Sequence, residues 1–326
     1  MAGCSSEVDV NAPWTDNTVV YGLLNKNDSI HYIRIQKSFL GEGNAYDMAA
    51  EPDSLYYNDI QITLERWKDG NNTGENIVFQ SNSEIIKEDG TFASQGHIVY
   101  EAAAKIFANS NYKLNIYIPK RDKWVSSTTP VIDTLVLLEN FEDDRTKISF
   151  ANYSQPYEIT WRLEEHARLY DVTILFHYTE ILDNTETQKS LEWNLPSIEI
   201  NGEIDNFTYT DKKIMKISGE AFYKYLAAKI DPVQNIQRYA DSLDFHFILG
   251  GNALSMFMEV YKPSEGVVQE KPLYTNITNG IGFFSTRYDK IVTGKILEPY
   301  SIDTLSRGIY TKNLRFADRY GNFEDL

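Results

Sequence analysis

Val19-Val20-Tyr21-Gly22-Leu23-Leu24, the polar run Asn25-Lys26-Asn27-Asp28, and then Ile30, Tyr32, Ile33 and Ile35 place near-alternating apolar side chains on either side of a turn. A period of two lines up one face of an extended chain, so this stretch predicts a β-hairpin. Similar strand-like runs follow at Ile60 to Trp67, at Tyr112 to Ile118 with Leu114, Ile116 and Ile118 on one face, at Trp124 to Thr128 and at Val131 to Leu138. Asp69-Gly70-Asn71-Asn72 and Lys120-Arg121-Asp122-Lys123 supply turns between them. Strands joined by short turns, with no βα alternation, predict a mainly β fold of sandwich-like layers.

The chain has 326 residues. That exceeds the roughly 250–300 at which a single core usually divides, so two β-sandwich-like domains are expected. The acid-rich break Glu-Asn-Phe-Glu-Asp-Asp-Arg-Thr-Lys, Glu139 to Lys147, marks the expected boundary. The expected division is a tether at 1–16, an N-terminal β-sandwich domain at 17–140 and a C-terminal β-rich domain at 141–326. Tyr157-Glu158-Ile159-Thr160-Trp161 and Tyr170-Asp171-Val172-Thr173-Ile174-Leu175-Phe176 open the second half. Over residues 157–176 they resemble the Trp-then-Tyr pair of fibronectin type III sandwiches, and the likeness implies that Trp161 and Tyr170 lie inside that domain.

Alternation continues through Phe207 to Ile217 and Leu243 to Leu249, and Gly250-Gly251-Asn252 is expected to turn the chain into a hairpin partner at Leu254 to Tyr261. One segment has helical spacing: Ser218 as N-cap, Glu220 in the first turn, then Phe222, Tyr225, Leu226 and Ile230, stopped by Asp231-Pro232. A second helix is expected from Pro232 to Asp241, giving a helical insertion near residues 218–240.

Forty-seven acidic against thirty-one basic residues leave a formal net charge of −16. That charge repels phosphate backbones, so nucleic acid is not an expected partner. No apolar run approaches the roughly 20 residues of a membrane span. Tyrosine (22), Phe (16) and Trp (5) are abundant, which suits strands and their cores first and half-wet surfaces second. The one Cys excludes an internal disulfide framework and a multi-cysteine metal site.

That cysteine stands in Met1-Ala2-Gly3-Cys4-Ser5-Ser6, which resembles the end of a bacterial lipoprotein signal, where small residues precede a Cys that is lipidated. Met1 stands where Leu is usual, and the basic and apolar parts of such a signal are expected to be missing from this chain. Ser5-Ser6-Glu7-Val8-Asp9 resembles the short acidic stretch that Bacteroidota place after the lipidated Cys for export to the cell surface. Pro272-Leu273-Tyr274-Thr275-Asn276-Ile277-Thr278-Asn279-Gly280-Ile281-Gly282-Phe283-Phe284-Ser285, with Val20-Tyr21-Gly22-Leu23-Leu24 and His31-Tyr32-Ile33-Arg34-Ile35, is similar to a Bacteroidota outer-membrane lipoprotein family of unknown function. The resemblance implies a lipid anchor at Cys4, an outer-membrane, cell-surface address and an accessory role beside a TonB-dependent receptor. It supplies no catalytic residues. Read physically, Gly280 and Gly282 around Ile281 permit a bulge or a close backbone approach ahead of a strand.

Catalytic patterns are not found. The five histidines, 31, 97, 166, 177 and 246, never take the spacing of a helical zinc site, and neither a Gly-x-Ser-x-Gly elbow nor a Walker loop occurs. His177 to Glu180 and Asp244 to His246 lie in strand-like runs, where a solvated or core-satisfied His is the expected state. No metal, cofactor or catalytic group is expected. Asp28-Ser29-Ile30, Asp53-Ser54-Leu55, Asp133-Thr134-Leu135, Asp241-Ser242-Leu243 and Asp303-Thr304-Leu305 fit the Asp-Ser/Thr-apolar O-glycosylation pattern of Bacteroidota. Residue frequencies predict about one by chance, so Ser29, Ser54, Thr134, Ser242 and Thr304 are candidate glycosylation sites. Asp-Ser and Asp-Thr also close turns before strands. The leading functional expectation is a non-enzymatic surface lipoprotein that binds an outer-membrane receptor. A glycan-binding module comes second and a hydrolase third.

Overall fold

The structure is a computed structural model that describes residues 17–38, 49, 51–85, 96–200, 207–208, 210–262 and 273–323. The chain is mainly β, with a 12-stranded sheet, a two-stranded sheet and few short helices. It divides into two compact units. The first comprises 1–131 and 251–286, the second 132–250 and 287–326.

In the first unit, β1 (Thr18–Asn25) and β2 (Ile30–Lys37) form the expected hairpin, with Val20 opposite Ile35 and Gly22 opposite Ile33. β3 (Gln61–Lys68), β4 (Asn71–Asn82), β5 (Val99–Ala103), β6 (Asn111–Ile118) and β7 (Lys123–Pro130) complete the order β1-β2-β5-β4-β3-β6-β7. Asp69 and Gly70 turn β3 into β4, both with positive φ (50° and 78°), as a tight hairpin needs. The alternation in β6 works as read: Tyr112, Leu114, Ile116 and Ile118 are buried. They join Val20, Ile33, Ile62, Val125 and Phe284 in one core.

In the second unit, β8 (Tyr157–Arg162) pairs with β12 (Lys212–Ile217) as the small sheet. β9 (Ala167–Leu182), β10 (Thr185–Asn194), β11 (Ile198–Glu199), β13 (Gln237–Gly251) and the Arg287–Lys295 part of β14 (Gly280–Lys295) belong to the large one. Ile159 and Trp161 from the small sheet and Ile174, Phe176, Phe245 and Phe247 from the large one share a second, separate core. Trp161 and Tyr170 are both fully buried, with ring centroids 5.6 Å apart. Helix Gly219–Lys229 forms where its spacing predicts it. Ser218 Oγ accepts from Ala221 N, and Phe222, Tyr223 and Leu226 point into the core.

Four expectations change. Val131 to Leu138 is not a strand, although Ile132, Leu135 and Leu137 are buried. Pro130 removes a donor just before it, and Asp133 N donates to the Glu164 carboxylate rather than to a ladder. Pro232 to Asp241 is not a helix: β13 begins at Gln237, and Arg238 pairs with Phe316, a contact too distant in sequence for local spacing to reveal. Asn252–Tyr261 is a helix rather than a hairpin strand, because Leu, Met, Ala and Glu favour helix and only Ala253 is buried in it. The acidic break at 139–147 lies within the second unit. Phe141 is buried there against Phe245 at 5.1 Å, and Lys290 and Lys295 bind Glu142 and the Asp143 carbonyl at 2.7 Å. Residues 251–286 return to the first unit.

Candidate functional site

The solvent face of β3, β6 and β7 carries registered rows of polar and aromatic side chains. Strict register makes rows across it: Gln61–Tyr117–Trp124, then Thr63–Asn115–Ser126, then Glu65–Lys113–Thr128. The alternate residues Ile62, Leu64, Leu114, Ile116 and Val125 go to the core, so the pleat commits these rows to water. Tyr117 and Trp124 stack at 4.7 Å with 29° between ring planes. The Tyr117 hydroxyl donates to Asp122 Oδ1 at 3.0 Å, and that bond holds the phenol protonated above its usual range. Asn279 Nδ2 donates to the Trp124 carbonyl at 3.0 Å. Trp124 is nevertheless 57% exposed. Two rows away, on β3, Glu65 accepts from Asn115 Nδ2 at 3.0 Å and Trp67 Nε1 at 3.1 Å. The free edge of β7 is closed at Ser126, whose N–H and C=O bond Thr278 at 3.2 and 2.8 Å.

The family-like stretch is a packing device. The Asn276 amide takes the place of a neighbouring strand: its Nδ2 donates to Phe284 O at 2.8 Å and its Oδ1 accepts from Phe284 N at 3.0 Å. Ile277 and Phe284 enter the first core. Gly280 and Gly282 lie so close to β1 that a Cβ would meet Thr18 O at 2.7 Å and Val20 O at 2.1 Å, the close backbone approach read from the sequence. Pro272 lies outside the described residues. In the second unit the Tyr170 hydroxyl, pushed up to about 12 by burial, accepts from Glu164 N at 3.0 Å. The buried Glu164 carboxylate accepts from Asp133 N and His166 N, and desolvation raises it above the ordinary carboxylate range.

The strands bring His177 to Asp244 at 3.1 Å, while Glu180 is taken by the fully buried Arg238 at 2.8 Å. Among the described residues no three His, Cys, Asp or Glu side chains are grouped to hold a metal. Burial lowers the pKa of His31, whose Nε2 lies 3.1 Å from Ala104 O. A pocket of ≈ 460 Å³ lies between Trp193, Leu195, Ile198, Ile214 and Met215 in the second unit.

Cys4 lies outside the described residues. Of the candidate glycosylation hydroxyls, Ser29 and Thr134 are on exposed residues, Ser29 just before β2 and Thr134 outside any strand. Ser54 and Thr304 are half-buried on short helices and Ser242 half-buried inside β13. The tripeptide carboxylates have local structural partners: Asp303 binds Arg319 at 2.6 Å and Asp241 accepts from Thr179 at 2.8 Å. The exposed Trp124 stacked on the half-buried Tyr117, and the apolar helix Asn252–Tyr261, were not singled out from sequence. Cross-strand register would have found the first, and helix propensity the second.

No helix among the described residues is long and apolar enough to cross a membrane. No family model matches the chain, and no curated protein matches it. One solved structure with which it aligns is a chain of a cytokine receptor complex, at 8% identity and a TM-score of 0.21 over 84% of this chain and 96% of that one; a likeness that slight carries no argument.

Proposed function

We propose that the protein is a non-enzymatic, lipid-anchored binding subunit of a bacterial outer membrane that docks on a receptor protein of that membrane. The observation that carries this reading is helix Asn252–Tyr261. Its Phe257 packs on Phe283 at 4.5 Å and Tyr21 at 5.9 Å, while Met256, Met258 and Tyr261 stand 39%, 46% and 45% exposed. Adjacent apolar side chains left in water are a feature of protein-binding surfaces, and Met adapts its shape to a partner. The lipoprotein-like N-terminus and the family resemblance support the same reading.

Affinity purification of the full chain with its native signal, from its own envelope in mild detergent, tests it. A TonB-dependent receptor is expected in the eluate and is expected to be depleted when Met256 and Met258 are both changed to Asp. Recovery of the lipoprotein alone at native expression overturns the reading. Cys4→Ala is expected to release the protein from the membrane; unchanged membrane association overturns the anchor. The second reading, glycan binding, is favoured by the exposed Trp124 on its polar sheet face.

A further inference from the structure

We propose that the solvent face of β3, β6 and β7 is a binding surface for an uncharged polysaccharide, with the Trp124 indole as the platform on which a pyranose ring stacks. The proposal rests on the second reading above and gives it a place and a ligand class.

A pyranose has an apolar C–H face bounded by hydroxyl groups. Its receptor therefore needs a flat, wet aromatic ring beside hydrogen-bonding side chains that already have fixed positions. Trp124 supplies the ring, 57% exposed. Its orientation is set in advance, because Tyr117 stands directly opposite in the β6–β7 register and stacks on it at 4.7 Å, while Asp122 fixes Tyr117 in turn. The indole stacks on Tyr117, and 57% of the residue still stays exposed to a ligand. A ring ordered before binding loses little freedom on binding.

The polar rim follows from the same register. Gln61 lies across from Tyr117, and Thr63, Asn115 and Ser126 form the next row, roughly 6.6 Å farther along the strands. These are amides and hydroxyls, which pair with sugar hydroxyls in either direction. The Glu65 carboxylate is occupied by Asn115 and Trp67. With a formal net charge of −16 on the chain, a polyanionic glycan is disfavoured and an uncharged one is not. An added peptide strand is disfavoured too, because Thr278 already pairs with Ser126 at the β7 edge.

Affinity electrophoresis and calorimetry of the full chain test this, with mixed-linkage β-glucan, glucomannan, xylan and soluble starch as uncharged probes and polygalacturonate as the anionic comparator. At least one uncharged glycan is expected to bind, with Trp124→Ala weakening it about tenfold or more. Trp124→Phe should retain part of the affinity, Gln61→Ala should weaken it, and Trp193→Ala should change nothing. Ligand should shift the intrinsic fluorescence of the wild type and not that of Trp124→Phe. If Trp124→Ala fails to fold, Trp124→Phe and Gln61→Ala carry the test. Binding unchanged by the Trp124 and Gln61 variants, or lost with Trp193, overturns the site while leaving the glycan reading standing. No binding by any uncharged probe overturns both. Preference for polygalacturonate overturns the ligand class.

Discussion

Gly282→Ala should be among the most damaging single substitutions in the first unit, and Gly70→Ala is its internal control. Both glycines have left-handed φ, +103° at Gly282 and +78° at Gly70, so each alanine carries backbone strain. At Gly70 nothing lies within 4 Å of the added Cβ. The strain acts alone there and should cost about 1–2 kcal/mol. At Gly282 the Cβ would sit 2.1 Å from Val20 O, where ordinary contact begins at 3.4 Å; the shortfall, 3.4 minus 2.1, is 1.3 Å. β1 cannot retreat that far and keep its ladder to β14, so about two backbone hydrogen bonds are lost at roughly 1 kcal/mol each. With strain of about 1–3 kcal/mol, the total is about 3–5 kcal/mol. That is a large fraction of the stability of an ordinary domain. Hydrogen exchange read by mass spectrometry on the full chain in rising urea is the assay. Peptides from β1 and β6 should lose protection in Gly282→Ala, while those from β9 and β13 should not. If Gly282→Ala and Gly70→Ala fall within about 1 kcal/mol of each other, the close approach between β1 and β14 is not what requires glycine.

Arg238 is buried and donates to Glu180, to Leu314 O at 2.7 Å and to Asp231 O at 3.1 Å. Arg238→Met should cost about 3–5 kcal/mol, visible in second-unit peptides by the same exchange measurement; a loss below about 1 kcal/mol overturns the ion pair's role. Asn276→Ala strips both hydrogen bonds from the Phe284 backbone and should destabilise the first unit by about 2–4 kcal/mol, checked by urea denaturation; a neutral effect overturns the surrogate-strand reading. Arg319 holds the Asp303 carboxyl below its ordinary range, so the folded state favours the ionised form. The resulting stability is present above the unfolded carboxylate pKa near 4 and is lost as pH falls through the folded value. Melting curves from about pH 6 downward should show a shallower acid slope for Asp303→Asn than for wild type; equal slopes refute the linkage.

The sequence made visible what local periodicity controls. The hairpin of β1 and β2, the one-sided burial of β6 and the capped helix Gly219–Lys229 follow from local spacing and capping, while the burial of Trp161 and Tyr170 is implied by a resemblance. The sequence hid what distant partners decide. β4, Asn71–Asn82, is mostly polar and exposed, and it is a strand because β3 and β5 pair with it. β10, Thr185–Asn194, has little buried apolar surface and owes its existence to β9 across ten registered pairs. Residues 251–286 belong to the first unit through contacts with β1 and β7, which no nearby residue announces. The Tyr117–Trp124 stack was likewise hidden, since its rings lie in different strands and meet only when β6 and β7 register.

The aromatic richness of the chain has two sources, and they differ in which measurement they move. Most rings are in the cores, and the buried tyrosines there find polar partners. Tyr100 donates to Tyr57 O at 3.2 Å, Tyr223 to Ser301 O at 2.8 Å, and Tyr112 accepts from Phe107 N at 3.1 Å. Burial without those bonds would be unfavourable, so removing one of these rings lowers stability first. Trp124 is different. It keeps 57% of its surface exposed, and its stack on Tyr117 is a single cross-strand pair of the kind worth about 0.2–1 kcal/mol. Its removal should therefore leave the melting temperature nearly unchanged. A large effect of Trp124→Ala on glycan affinity, alongside a small effect on melting, would separate a ring kept for binding from one kept for packing.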